Sequence, residues 1–86
     1  MGQKKRSPDQ GLKLLLIRDY LYNEASAEYP RNSNDIQAFL AEHDIKASTR
    51  TIQEDVRRLR DILNIPIAYN PRKWGYYISQ RQFEQG

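Results

Sequence analysis

Cysteine is absent from this sequence of 86 residues, and histidine, tryptophan and methionine occur once each, as His43, Trp74 and Met1. Without cysteine the chain has no disulfide framework and no thiolate to serve as nucleophile or metal ligand. A single histidine leaves little for acid–base or metal chemistry, so neither an enzyme nor a bound cofactor or metal is expected. The longest apolar run, Leu14–Ile17, is four residues, far short of the ~18 that a membrane span requires. The basic start Lys4-Lys5-Arg6 leads into Ser7-Pro8-Asp9 rather than an apolar stretch, so no signal peptide is expected. Both absences fit a cytoplasmic setting. A chain this short forms one small domain that buries only about 60–65% of its unfolded surface, so its core must be compact.

What is present is charge, unevenly spread. The formal net charge is +3, with 14 Lys and Arg against 11 Asp and Glu. Residues 1–31 carry a surplus of +2, residues 32–47 a deficit of −2, residues 48–64 a surplus of +1 and residues 65–86 a surplus of +2. The middle of the chain is therefore acidic and is followed by two basic segments. A small, mildly basic domain without catalytic groups points first to nucleic acid as a partner.

Ser7-Pro8-Asp9-Gln10 is a helix start: Ser7 caps, Pro8 suits the first helical position and Gln10 completes a capping box. The spacing predicts a first helix running to about Ala25, with Leu14, Ile17 and Leu21 facing the core. Pro30 stops it, and Glu28–Arg31 is expected to hold a very short strand. A second helix starts at Asn32 or Ser33, with Ile36, Phe39, Leu40 and His43 at helical spacing. His43 completes that apolar side or caps its end, and Ile45 anchors the turn that follows. Ser48 caps a third helix whose core stripe is Ile52, Val56, Leu59 and Leu63, helped by Ile62; Asn64 and Pro66 end it. Ile65–Tyr69 and Tyr76–Ile78 read as two strands joined by the basic turn Asn70–Gly75. The result is a mainly α domain with a small β-hairpin: three helices plus a wing, the winged helix-turn-helix arrangement, spanning residues 9–79. Residues 1–8 form a flexible basic tail, and residues 80–86 a tail or the start of a linker.

With Ile52 set at 0°, Gln53, Arg57 and Arg50 lie at about 100°, 140° and 160°, and Glu54 at about 200°, all on the side opposite the core. Arginine pairs with guanine, glutamine with adenine, and glutamate accepts from cytosine, so this face carries base-reading side chains. Ser48, Thr49 and Arg50 sit at the end of the helix that enters a groove first. Arg72 and Lys73 at the wing are placed for phosphates or the minor groove, with Trp74 read as packing the base of the wing in preference to stacking on a nucleotide. Amides around Ser33 could hold one phosphate. The competing reading is a solvated helix face closed by Glu54–Arg58 and Arg57–Asp61 ion pairs. Asp55 lies beside the core stripe, and a structural contact such as an ion pair with Arg58 is expected for it. Leu12, Leu15 and Tyr22 form a second apolar seam on the first helix, covered either by the chain's own tails, Phe83 included, or by a homodimer mate or companion domain.

The residues Ser48-Thr-Arg-Thr-Ile52-Gln-Glu-Asp55-Val-Arg-Arg-Leu59 resemble the third helix of DeoR-like and biotin-repressor-like winged helix-turn-helix regulators. Ile65–Tyr69, Gly75-Tyr-Tyr-Ile78 and Arg81-Gln-Phe83-Glu84 resemble the start of bacterial WYL-domain transcriptional regulators. The resemblance covers about residues 10–84. It implies sequence-specific binding of double-stranded DNA in transcriptional control, with an effector domain following the linker. Glu54 stands where that family usually carries arginine or lysine. The alternative is a winged helix that uses the same surface to bind another protein.

Overall fold

The computed structural model describes residues 10–79. Three helices, α1 (Gln10–Glu24), α2 (Ser33–Glu42) and α3 (Thr49–Asp61), precede an antiparallel hairpin of β1 (Ile67–Asn70) and β2 (Gly75–Ile78). This is the winged-helix arrangement anticipated from the sequence. The Ser7-Pro8 start of α1, the Lys4–Arg6 arm and the Arg81–Glu84 segment lie outside the described residues.

Local chemistry fixes the two later helix starts. Asn32 accepts from the Asp35 amide at 2.8 Å, while the Asp35 carboxylate accepts from the Asn32 amide at 3.0 Å, a reciprocal capping box. At α3 the Ser48 hydroxyl accepts from the Thr51 amide at 3.1 Å and donates to the Thr51 hydroxyl at 3.0 Å. Between these helices Asp44 takes a left-handed φ of 62°, and the Ile45 amide returns to Leu40 O at 2.9 Å. That reversal drives Ile45 into the core, where it is buried as expected. His43 caps the C-terminus of α2, its Nδ1 lying 3.1 Å from Phe39 O and its ring against that of Phe39.

The core lies where the three helices meet one face of the hairpin. Ile17 and Leu21 of α1, Ile36 and Leu40 of α2, Ile52, Val56 and Leu59 of α3, and Ile65, Ile67 and Ile78 beyond it are all buried. Leu14 and Phe39 pack against its edge, and Phe39 stacks on Tyr20 with ring centroids 4.4 Å apart. Burial holds the Tyr20 hydroxyl above the usual tyrosine range, with Arg31 pulling the other way.

Several sequence expectations require correction. Ile62 and Leu63 are 69% and 54% exposed rather than core residues. The helix stops at Asp61, Asn64 turns the chain with φ 59°, and the Ile65 amide bonds back to Leu59 O at 3.0 Å. Ile65 thereby takes the core position that helical spacing assigned to Leu63. Since Ile65 and Pro66 belong to this reversal, β1 begins only at Ile67, and the hairpin pairs Asn70 with Gly75. The short strand expected at Glu28–Arg31 is a single bridge, Arg31 to Tyr76, with bonds of 2.9 and 2.6 Å. Tyr22 is half-buried against the core, because α1 is covered by α2, α3 and β2 and buries more than one stripe.

The most consequential buried group is polar. Asp55 on α3 is fully buried, and Lys13 on α1 is nearly so. The Lys13 ammonium meets one Asp55 carboxylate oxygen at 2.9 Å, while the other accepts from Arg58 at 2.8 Å and from Gln10 Nε2 at 2.9 Å. The sequence reading had the Arg58 pair. It missed Lys13, whose partner is 42 positions away along the chain.

Two stability predictions follow from these contacts. Asp55→Ala leaves the Lys13 ammonium buried without its carboxylate and should cost about 3–5 kcal/mol in urea denaturation. The apolar pair Lys13→Met/Asp55→Leu should recover much of that loss. Gly75→Ala would bring a methyl carbon to 2.7 Å from Pro30 Cβ and 2.8 Å from the Arg31 amide nitrogen. A shift of about 1–3 kcal/mol in the same assay, with faster amide exchange at Arg31 and Tyr76, is expected.

Candidate nucleic-acid interface

Burial of Asp55 determines what α3 shows to solvent. Arg57 lies about 160° around the helix from Asp55, so anchoring one points the other outward. Arg50, Gln53, Glu54 and Arg57 are all exposed, as is Ser48 at the cap, while Thr49 is half-buried. The ion pairs that would have closed this face do not form. Arg58 turns to Asp55, and Asp61 pairs with Arg60 at 3.0 Å. The side chains of Arg50, Gln53, Glu54 and Arg57 consequently make no hydrogen bond or ion pair with any described residue. Arg60 holds the Asp61 carboxyl below the usual range through their hydrogen bond.

The hairpin extends this face. Tyr76 of β2 packs edge-on against Tyr69 of β1, ring centroids 5.2 Å apart. Burial raises the Tyr76 hydroxyl above the usual range, followed by the influence of Tyr69, and Arg60 and Arg57 oppose the rise. The charges of α3 thus reach the hairpin. Tyr76 is half-buried against the core, where the strand pattern alone marked it only as one of three apolar residues in a row.

At the tip, Asn70 organises the turn. Its side-chain oxygen accepts from the amides of Arg72 and Lys73 at 3.0 and 3.3 Å, and its Nδ2 donates to Ala27 O at 2.9 Å. Lys73 does not project freely: its ammonium donates to Glu28 O at 2.9 Å and lies 5.7 Å from the Tyr29 ring centre. It fastens the wing to the connector that follows α1. The guanidinium of Arg72 has no partner among the described residues. Trp74 corrects the sequence reading most sharply. It is 70% exposed, with φ 55°, and packs nothing at the base of the wing. The turn closes through its amide to Asn70 O, and that geometry throws the indole outward.

Ser33 opens α2 and is half-buried. The capping box sets the Asp35 carboxylate beside it, so negative charge already occupies that helix end. Lys46 escaped notice because it lies in the acidic segment. It lines an open concavity of about 630 Å³ with Asn34, Gln37 and Ser48, beside the start of α3.

On the far side, Leu12 and Leu15 are 47% and 50% exposed. Leu15 joins Leu14, Leu59, Leu63 and Ile65 around a groove of about 430 Å³, with Arg18 at its rim. Leu63 therefore takes the place in this seam that the sequence gave to Tyr22. Among the described residues no three metal-ligating side chains come together, and no helix is long and apolar enough to cross a membrane. Compared with protein-family models, curated proteins and solved structures, the chain matches none.

Proposed function

We propose that this chain is a sequence-specific reader of double-stranded DNA, the DNA-binding domain of a bacterial transcriptional regulator acting in the cytoplasm. In this reading α3 enters the major groove and the hairpin lies on the flanking backbone or minor groove. One observation carries it: an exposed helix face of Arg50, Gln53 and Arg57 whose polar groups have no partner among the described residues. Guanidinium and amide groups left open in this way suit base edges and phosphates. The resemblance of Ser48–Leu59 and Gly75–Ile78 to DeoR-like and WYL-domain regulators supports the same conclusion. Glu54 in this face would select for cytosine or against a nearby phosphate. The groove beside Leu15 and Leu63 is the place for a homodimer mate or a companion effector domain, which would set the spacing of half-sites.

Selection of bound sites from a random duplex pool should yield a defined motif. Arg50→Ala and Arg57→Ala should each weaken binding to it by about 1–3 kcal/mol while relaxing sequence preference. Arg72→Ala should weaken binding to all duplexes and lower the salt slope by about one. If the Arg50→Ala/Arg57→Ala double variant bound the selected site as tightly as the parent, the assignment of α3 would fail. Should random duplex show no affinity with a counterion-release slope, the surface would instead serve a protein partner.

A further inference from the structure

We propose that Trp74 is a DNA-contacting wedge, an indole held out by the wing to lie against the sugars and base edges of the minor groove beside the site read by α3. The inference rests on the duplex-binding reading above. Its first support is exposure: the sole tryptophan of the chain is 70% accessible, level with Ile62 and Tyr29 but carrying the larger ring system. The second is backbone conformation. A φ of 55° is unfavourable for a bulky side chain, and the two other left-handed non-glycine positions among the described residues are Asp44 and Asn64, types that tolerate it. At residue 74 the fold would be served better by asparagine, so neither packing nor turn geometry accounts for tryptophan.

The third support is rigidity. The turn is closed by the Trp74 amide on Asn70 O at 2.6 Å, by two amides on the Asn70 side chain, and by the tethers Asn70–Ala27 and Lys73–Glu28. An apolar group on so braced a support is presented with little entropy left to lose on binding. The fourth is charge. Arg72, two residues away, has a guanidinium with no partner among the described residues, and Lys73 beside it keeps its positive charge while bonded to a neutral carbonyl. Cations flanking an apolar tip on a β-ribbon match the minor groove, where phosphates border apolar sugar walls and apolar side chains wedge at base steps. A protein partner would have less use for cations on both residues that precede the indole.

Because Trp74 is the sole tryptophan, its emission reports this contact directly. Titration of the intact chain with a duplex carrying its selected site should shift or quench the emission and protect it from acrylamide. Trp74→Asn, which suits the left-handed backbone, should melt at the same or a higher temperature yet bind that duplex about 5- to 100-fold more weakly. Trp74→Phe should keep most of the affinity. Tight duplex binding with unchanged emission and quenching, or full affinity in Trp74→Asn, would overturn the wedge and leave the DNA-reading assignment standing. Absence of duplex binding by the parent chain would overturn both. Protection of Trp74 that grows with protein concentration before DNA is added would assign the indole to a contact between copies instead.

Discussion

The buried carboxylate of Asp55 is the constraint on which the arrangement turns. A charge taken out of water is tolerated only with close partners, and here they come from two helices: Lys13 and Gln10 from α1, Arg58 from α3 itself. Apolar side chains would hold α1 against α3 over a range of rotations. A carboxylate hydrogen-bonded at one oxygen and ion-paired at the other permits far fewer. The rotation of α3 about its axis is thereby set, and with it the direction in which Arg50, Gln53 and Arg57 point.

The same anchor shapes the electrostatics of the outer face. Arg58 is drawn toward Asp55, and Arg60 is occupied by Asp61, so local ion pairs neutralise the flank of α3 and leave its centre open. A net charge of +3 says little about this surface. Partnering decides which cations remain available to a ligand, and it ties Lys73 to the connector while leaving its charge intact.

Features encoded within a few residues were legible before the structure. The caps Asn32 and Ser48, the buried turn residue Ile45 and the outward position of Arg50, Gln53 and Arg57 all follow from local spacing and hydrogen-bond chemistry. The errors share another origin. Ile62 and Leu63 continue the helical period, but the period ends when Asn64 reverses the chain and Ile65 fills the core. Lys13 carries no local mark of its role because its partner is on another helix. Trp74 looked like packing material because nothing local reveals that the turn has no wall for it to lie against. The edge-on pair of Tyr69 and Tyr76 joins two strands whose register no single sequence window shows.

The close approach at Gly75 has a mechanical meaning. With the Pro30–Arg31 backbone pressed where a side chain would stand, and Lys73 and Asn70 tied to the same connector, the hairpin is clamped along its tip half, from the turn to the Arg31–Tyr76 bridge. The connector in turn leads directly into the cap of α2. A displacement of the wing must therefore be shared with the helix pair, and the interval between the hairpin tip and α3 behaves as a fixed gauge. A ligand contacting both would have to conform to that interval, bending if its own geometry differs.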